Sequence, residues 1–324
     1  MCVETTIDEE ATTQPDKKAP LIDVYLNPNK SEALEFVTEK KKRQFQEYFK
    51  NSDMRELYPN LFKILWFAAL PCSPLPGLTD QFMLKECEVA NKKVDCSKIF
   101  RKVPTDSGMC CALNMENALR ESEYTQLVRS MQTSTHFGKK DVHEKEVIKA
   151  APGIQKGIRI TLDLHSNFDS FGTVYGDFDA FRIFIGQADE FPNLRDMGLV
   201  VQPGHEHFLS ISNEILKSDP DVRKIDPTSR NCYFSDEGNL EFYHLYTFSN
   251  CMLECGIKLA QQELNCIPWF LPQSQNSTIC DPWTARNFST IMSVIQADAD
   301  KCSECLPDCE SNDYLVTPTA VKFG

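Results

Sequence analysis

Eight cysteines between Arg230 and the C-terminal region, at Cys232, Cys251, Cys255, Cys266, Cys280, Cys302, Cys305 and Cys309, limit what this chain can fold into more than any other feature. Cys251 and Cys255 stand at i and i+4, one face of a helix, while Cys302, Cys305 and Cys309 crowd together. An even count with helical spacing at one end and a cluster at the other suits nested cross-links between antiparallel elements. The whole chain carries 14 cysteines in 324 residues. That many thiols fit a cross-linked extracellular module better than a reducing cytosol. Three sequons beginning at Asn29, Asn276 and Asn287 agree with such a compartment and are candidate glycosylation sites.

A net charge of -13 and a pI near 5.0 argue against a nucleic-acid partner, because phosphate binding needs clustered Lys and Arg. Residues 1 to 16 are polar and acidic, without the basic and apolar regions of a secretory signal. The most apolar stretch, Leu61 to Leu75, is interrupted by Lys63, Pro71 and Pro74. It falls short of the roughly 20 residues a membrane helix needs. A chain built for an oxidising compartment without a means of reaching it is expected to lack an upstream segment.

Along the chain, residues 1 to 30 are polar with one β-like run at Leu21 to Leu26. Apolar periodicity predicts helices over Ser31 to Phe49, Leu61 to Leu70 (stopping at Pro71) and Asn114 to Met131. Cys87 and Cys96 bracket a polar loop, and Ser107-Gly108 marks a turn. Alternation predicts strands at Ile158 to Leu164, Phe181 to Ile185 and His205 to Ile211, the last after the Pro203-Gly204 turn. Leu240 to Asn265 reads as one long helix. Asp281-Pro282, an N-cap followed by proline at the first helical position, starts another that runs to about Gln296. Cys266 and Cys280 would close the turn between these helices, and Cys251 and Cys255 would meet a strand-like tail from Cys302 to Cys309. Helices first, strands second and a helical hairpin last predict an α+β architecture.

The chemical motifs are weak. Cys251, Cys255, Cys302 and Cys305 could hold zinc as four thiolates, but that leaves Cys232, Cys266, Cys280 and Cys309 unexplained. His205-Glu206-His207 lacks the H-E-x-x-H spacing that puts two imidazoles on one helical face, and on a strand both histidines share a face with Leu209 and Ile211. Cys110-Cys111 has no neighbouring histidine to act as base. The acidic stretch containing Asp177, Asp179, Asp189 and Glu190, and the basic run Lys40 to Arg43, read as solvated surface. Neither a cofactor nor a metal ion is expected, and with no paired nucleophile and base the chain is not read as an enzyme.

Longer motifs carry a resemblance. Arg230-Asn-Cys232-Tyr-Phe234, Leu240, Tyr243, Cys251-x2-Glu254-Cys255, Cys266-Ile-Pro-Trp269-x2-Pro272, Ile279-Cys280-Asp281 and Cys305-Leu-Pro-Asp-Cys309 resemble the thumb of degenerin/epithelial sodium channels, most like arthropod pickpocket-type subunits. Cys87, Cys96 and Gly108-Met-Cys110-Cys-Ala-Leu-Asn114 are similar to the finger cysteines of that family, with Leu113 in place of a phenylalanine. Residues 157 to 163, 181 to 185 and 201 to 204 are similar to its palm and β-ball strands.

The resemblance implies a disulfide-rich ectodomain: a polar segment over 1-30, a helical finger and knuckle over 31-150, palm and β-ball strands over 151-229, the thumb over 230-310 and the start of a returning palm strand over 311-324. It implies pairing of Cys232 with Cys309, Cys251 with Cys305, Cys255 with Cys302, Cys266 with Cys280, and Cys87 with Cys96. One thumb bridge of the family is absent, with Leu264 at its first position. Cys110 would pair with a cysteine just after the first membrane helix, for which Cys2 is the candidate, and what remains leaves Cys72 to be guessed as the partner of Cys111. The implied function is the extracellular part of a trimeric sodium channel subunit at the plasma membrane, opened by a ligand, protons or force. Its sodium pore and membrane contact would lie in two helices this sequence lacks. Arg230 stands where the acid-sensing branch has an aromatic, which argues against proton gating. The alternative is a secreted binding or decoy protein derived from the same ectodomain.

Overall fold

A computed structural model describes residues 2-3, 43, 47-48, 50-51, 53-74, 82-115, 119-134, 148-163, 180-273 and 277-323. The β-like run at Leu21 to Leu26, most of the helix expected over Ser31 to Phe49, and Asn29, Asn276, Asp177 and Asp179 lie outside the described residues. The chain mixes helix and sheet, and six disulfides join cysteines among the described residues. Among the described residues no helix is long and apolar enough to cross a membrane.

Among the described residues the strands form four small antiparallel sheets. β1 (Cys2–Val3) pairs with β7 (Phe181–Phe184), which also pairs with β8 (Leu199–Val201). β2 (Leu84–Val89) lies between β3 (Lys92–Val94) and β6 (Ile158–Leu162). Ala90 and Asn91, both at positive φ, join β2 to β3 as a two-residue loop whose twist matches the strands. The Cys87–Cys96 disulfide clamps this hairpin at the short helix α2 (Cys96–Ile99), so the expected polar loop is a β-hairpin. β4 (Phe100–Thr105) and β5 (Gly108–Leu113) follow, turning where Gly108 takes φ 105°. These four strands overturn the expectation that the first half is helical, because β5 is buried along its whole length and belongs to the interior.

β9 (His205–Leu216) and β10 (Ser311–Lys322) make a separate ribbon of 12 paired residues each, longer than the strand expected to end at Ile211. Between them come two short helical segments, Pro220–Lys224 and α5 (Pro227–Arg230), then the helical part of the molecule.

Helix α1 (Met54–Ala68) begins earlier than expected and tolerates Pro59 in its second turn. Its buried face, Tyr58, Phe62, Leu65 and Trp66, recurs at helical spacing and packs on Tyr124 and on Trp269. α3 is Glu123–Ser134 rather than Asn114 to Met131, because Asn114 ends β5 at positive φ and binds the backbone of Ile148 through its side-chain amide. α4 (Leu194–Met197) is a single turn between β7 and β8. α6 (Phe248–Leu264) and α7 (Pro282–Ala297) pack on each other. One core joins α1, α3, α6, α7 and the intervening loops, and a second lies among the strands around Leu84, Phe100 and Ile183.

The Cys72–Cys111 disulfide ties the exit of α1 to β5. Beside it, Lys102 of β4 donates to the carbonyls of Trp66 (2.6 Å) and Ala69 (2.7 Å), capping the end of α1. Burial lowers its amine from the usual lysine range to about 7. The unfolded chain keeps that proton up to the ordinary lysine range, so stability should rise with pH above about 7. Burial instead raises the hydroxyls of Tyr58, Tyr124 and Tyr243, so stability should fall again above about pH 10 as unfolded tyrosines ionise. Chemical denaturation of Lys102→Met across this range should show the fall without the preceding rise.

Candidate functional site: the stapled helical hairpin and its acidic base

Disulfides hold α6 and α7 into one unit. Cys251–Cys305 and Cys255–Cys302 join successive turns of α6 to the segment after α7, with Cα separations of 5.6 and 6.0 Å. Cys266–Cys280 closes the loop between the helices, and Cys232–Cys309 closes the base. All four sulfurs of the zinc alternative are consumed in these bonds. The expected strand-like tail is instead a 3-10 turn, Ala299–Cys302, followed by turns, which lets Cys302 and Cys305 face cysteines one helical turn apart. Two residues after Cys309, β10 begins, so the base of the hairpin continues directly into the ribbon.

α6 starts at Phe248, not at Leu240 as periodicity suggests. Thr247 caps it, its hydroxyl accepting from the Asn250 amide at 3.1 Å. The segment before it stays irregular because another group takes its backbone donors. Glu254, 2% exposed, accepts from the amides of Glu241 (2.8 Å) and Phe242 (2.6 Å). Leu240, Tyr243 and Tyr246 can then all reach the core. The glutamate of the Cys251-x2-Glu254-Cys255 motif thus satisfies buried backbone that a helix would otherwise satisfy.

At the other end, the loop from Cys266 to Leu271 is fastened to α1 and α3. Tyr58 donates to the carbonyl of Trp269 at 3.1 Å and Tyr124 to that of Phe270 at 2.9 Å. Trp269 packs edge-on against Phe62, so the tip of the hairpin is held by aromatic contacts from neighbouring helices.

The base of α6 meets the loop after β7. Asn250, fully buried, donates to the carbonyl of Asp189 (2.9 Å) and accepts from the amide of Phe191 (3.2 Å). Glu190 is raised by burial, partly offset by hydrogen bonds from Ser249 and Thr247. Asp308 accepts from the Phe248 amide at 3.0 Å, at the first turn of α6. Burial first, then Asp313 and Asp189 nearby, still push its carboxyl up to about 6. An acid raised above its unfolded value stabilises the fold below that lower value and loses this contribution as pH rises through 6. Stability should therefore increase on acidification from about pH 6 to 4, by roughly 1 kcal/mol once solvent screening of this half-exposed group is allowed for. Asp308→Asn should flatten that segment of the curve, read by chemical denaturation at each pH.

Arg230 is engaged within the chain. It pairs with Glu237, donates to the carbonyls of Cys232 (3.0 Å) and Ile225 (2.7 Å), and lies 5.0 Å from the Phe234 ring, with Arg223 4.0 Å from that ring. Cys110 is buried in β5, and β1 runs beside β5, bringing the backbone of Cys2 to the same strand. The Cys2 side chain lies outside the described residues. Asn287 is exposed on α7. His205 and His207 sit at the far end of the ribbon, away from the hairpin. Sequence reasoning missed Thr247 as the cap of α6 and the roles of Glu254, Asn250 and Asp308, because the hydrogen-bond partners of these three lie on distant segments.

A family model described as "Amiloride-sensitive sodium channel" matches residues 1–323. Pickpocket protein 28 of Drosophila melanogaster is 26% identical over 253 residues, covering 72% of this chain and 41% of that protein. Sodium channel protein Nach of Drosophila ananassae is 23% identical over 239 residues, covering 72% of this chain and 41% of its own length. Acid-sensing ion channel 1C of Danio rerio is 25% identical over 179 residues, covering 53% of this chain and 32% of that protein. The chain spans about two-fifths of the length of the first two relatives.

Proposed function

Because this chain belongs to the amiloride-sensitive sodium channel family, we propose that it forms the extracellular region of a sodium channel subunit at the plasma membrane. The pore is supplied by membrane helices outside these 324 residues, within a homo- or heterotrimer. On this reading residues 230-310 are the thumb, β9 and β10 belong to the palm, β7 and β8 to the β-ball, and the helical part of 31-150 to the finger. Asn29, Asn276 and Asn287 are glycosylated, and Cys2 bonds Cys110.

The observation that carries the proposal is the ladder Cys251–Cys305, Cys255–Cys302 and Cys232–Cys309, which leads straight into β10. A cross-linked helix pair moves as one body, and a rigid element that favours one of two states can bias a pore. Its tip is gripped by α1 and α3 and its base by the Asp189 to Phe191 loop, so a displacement of either reaches the ribbon. The engagement of Arg230 with Glu237 supports a ligand or mechanical stimulus over the proton contact of acid-sensing relatives.

The test replaces the corresponding extracellular region of Drosophila Pickpocket protein 28 with residues 1-324 and records sodium current in oocytes. Amiloride-blocked sodium current is the expected result. A chimera that reaches the cell surface, stays folded and carries no sodium current under any stimulus overturns the reading, and a folded monomer recovered from medium favours the secreted alternative.

A further inference from the structure

We propose that His205 and His207 form a binding site for a divalent transition-metal ion of the zinc, nickel and copper group. The two residues begin β9 at i and i+2, so strand alternation turns both imidazoles to one face of the ribbon. Their ring centroids are 6.0 Å apart. A metal ion bound through nitrogen at about 2.0–2.1 Å stands about 3.2 Å from each ring centre, so the observed separation lies within the roughly 6.4 Å limit for two rings that turn their free nitrogens to one ion. Both side chains are half-buried, leaving the outer coordination positions open to water.

The surroundings of the rings fit this use. His205 Nδ1 lies 3.0 Å from the carbonyl of Pro203, and His207 Nε2 lies 3.2 Å from the carbonyl of Gln202. In the tautomers that donate to these carbonyls, Nε2 of His205 and Nδ1 of His207 keep their lone pairs for a metal. Ligating histidines commonly have such a partner on the other ring nitrogen, which fixes the ring and raises its basicity. His207 Nε2 is also 3.1 Å from the Gln202 amide, so metal binding selects between two tautomers already provided for.

Imidazole pairs suit zinc, nickel and copper rather than calcium or magnesium. Among the described residues no group of three or more metal-binding side chains occurs, so two histidines and water make a modest, exchangeable site. The cross-strand neighbours set its strength. Ala320 opposite His207 leaves room, whereas Lys322 opposite His205 places a positive charge beside the ion. The ion would brace the turn before β9 against the end of β10, where the Phe323 amide donates to the carbonyl of Gly204 at 3.0 Å. This inference does not depend on the channel reading.

Calorimetric titration of the oxidised full chain with nickel chloride at neutral pH, paired with copper electron paramagnetic resonance, tests it. One saturable ion per chain and hyperfine coupling to two nitrogens are expected. His205→Asn and His207→Asn should each weaken binding about tenfold or more, whereas His244→Asn, an exposed histidine before α6, should leave it unchanged. Lys322→Ala should tighten binding about two- to fivefold by removing the repulsion, a gain that damage to folding cannot imitate. Equal affinity in the wild-type chain and the double histidine variant, or no gain in Lys322→Ala, overturns the proposal.

Discussion

Replacing Cys255 and Cys302 together by serine should destabilise the oxidised protein by only about 2 kcal/mol, and removing Cys251 and Cys305 alone should cost about the same. The two sequence separations, 47 and 54 residues, suggest far more if each bond is treated by itself, near 4 kcal/mol in chain-entropy terms. The bonds are nested, however. With either one intact, the other closes a ring of only about seven residues, made of one turn of α6 and the short step from Cys302 to Cys305, and small rings restrict the unfolded chain little further. Removing both rungs leaves Cys232–Cys309 as the nearest closure, and the loss should then reach about 6 kcal/mol, roughly 2 kcal/mol beyond the sum. Chemical denaturation of the two paired variants and the quadruple variant measures this coupling. Strict additivity would mean that the rungs act on separate loops, contrary to the ladder.

Trp269→Ala should cost about 3–5 kcal/mol, the range for emptying a packed aromatic site. Trp269 is 2% exposed and contacts Phe62 and Phe270, and Phe62 has no exposed surface of its own. The Trp269 and Phe270 carbonyls are held by Tyr58 and Tyr124, which resists collapse of this loop into the space. Tyr58→Phe, which removes only one of these hydrogen bonds, should cost about 1 kcal/mol. Thermal unfolding of both variants checks the ordering. A Trp269→Ala protein as stable as wild type would show that the hairpin tip is not gripped by α1, and the route by which neighbouring helices move the hairpin would fall with it.

Local signals in the sequence located several elements well. The Asp281-Pro282 start of α7 is present as read, with Asp281 accepting from the Thr284 amide at 3.2 Å, since a cap and a helix-initiating proline act within one turn. Strands β6 and β7 lie where alternation put them. The helix read over Leu240 to Asn265 was too long because apolar spacing registers burial and not hydrogen bonding, and Leu240, Tyr243 and Tyr246 are buried from an irregular segment. β2 to β5 were missed for a related reason: with β5 buried on both faces, no alternation marks it. The eight C-terminal cysteines were readable as a set, but eight cysteines allow 105 connectivities, and their pairing was implied only through the motif resemblance.

What the sequence determined by itself was the cross-linked character of the chain, the two helices of the hairpin and, through its motifs, the family. These depend on residues close together or on patterns that a single segment carries. The tertiary structure alone decided that Glu254 satisfies the backbone of Glu241 and Phe242, that Asn250 straps the Asp189 loop to α6, and that Lys102 caps α1. Each joins groups between 12 and 61 residues apart. The free energy of such a contact comes from burial away from water, and burial exists only once the distant segments have packed.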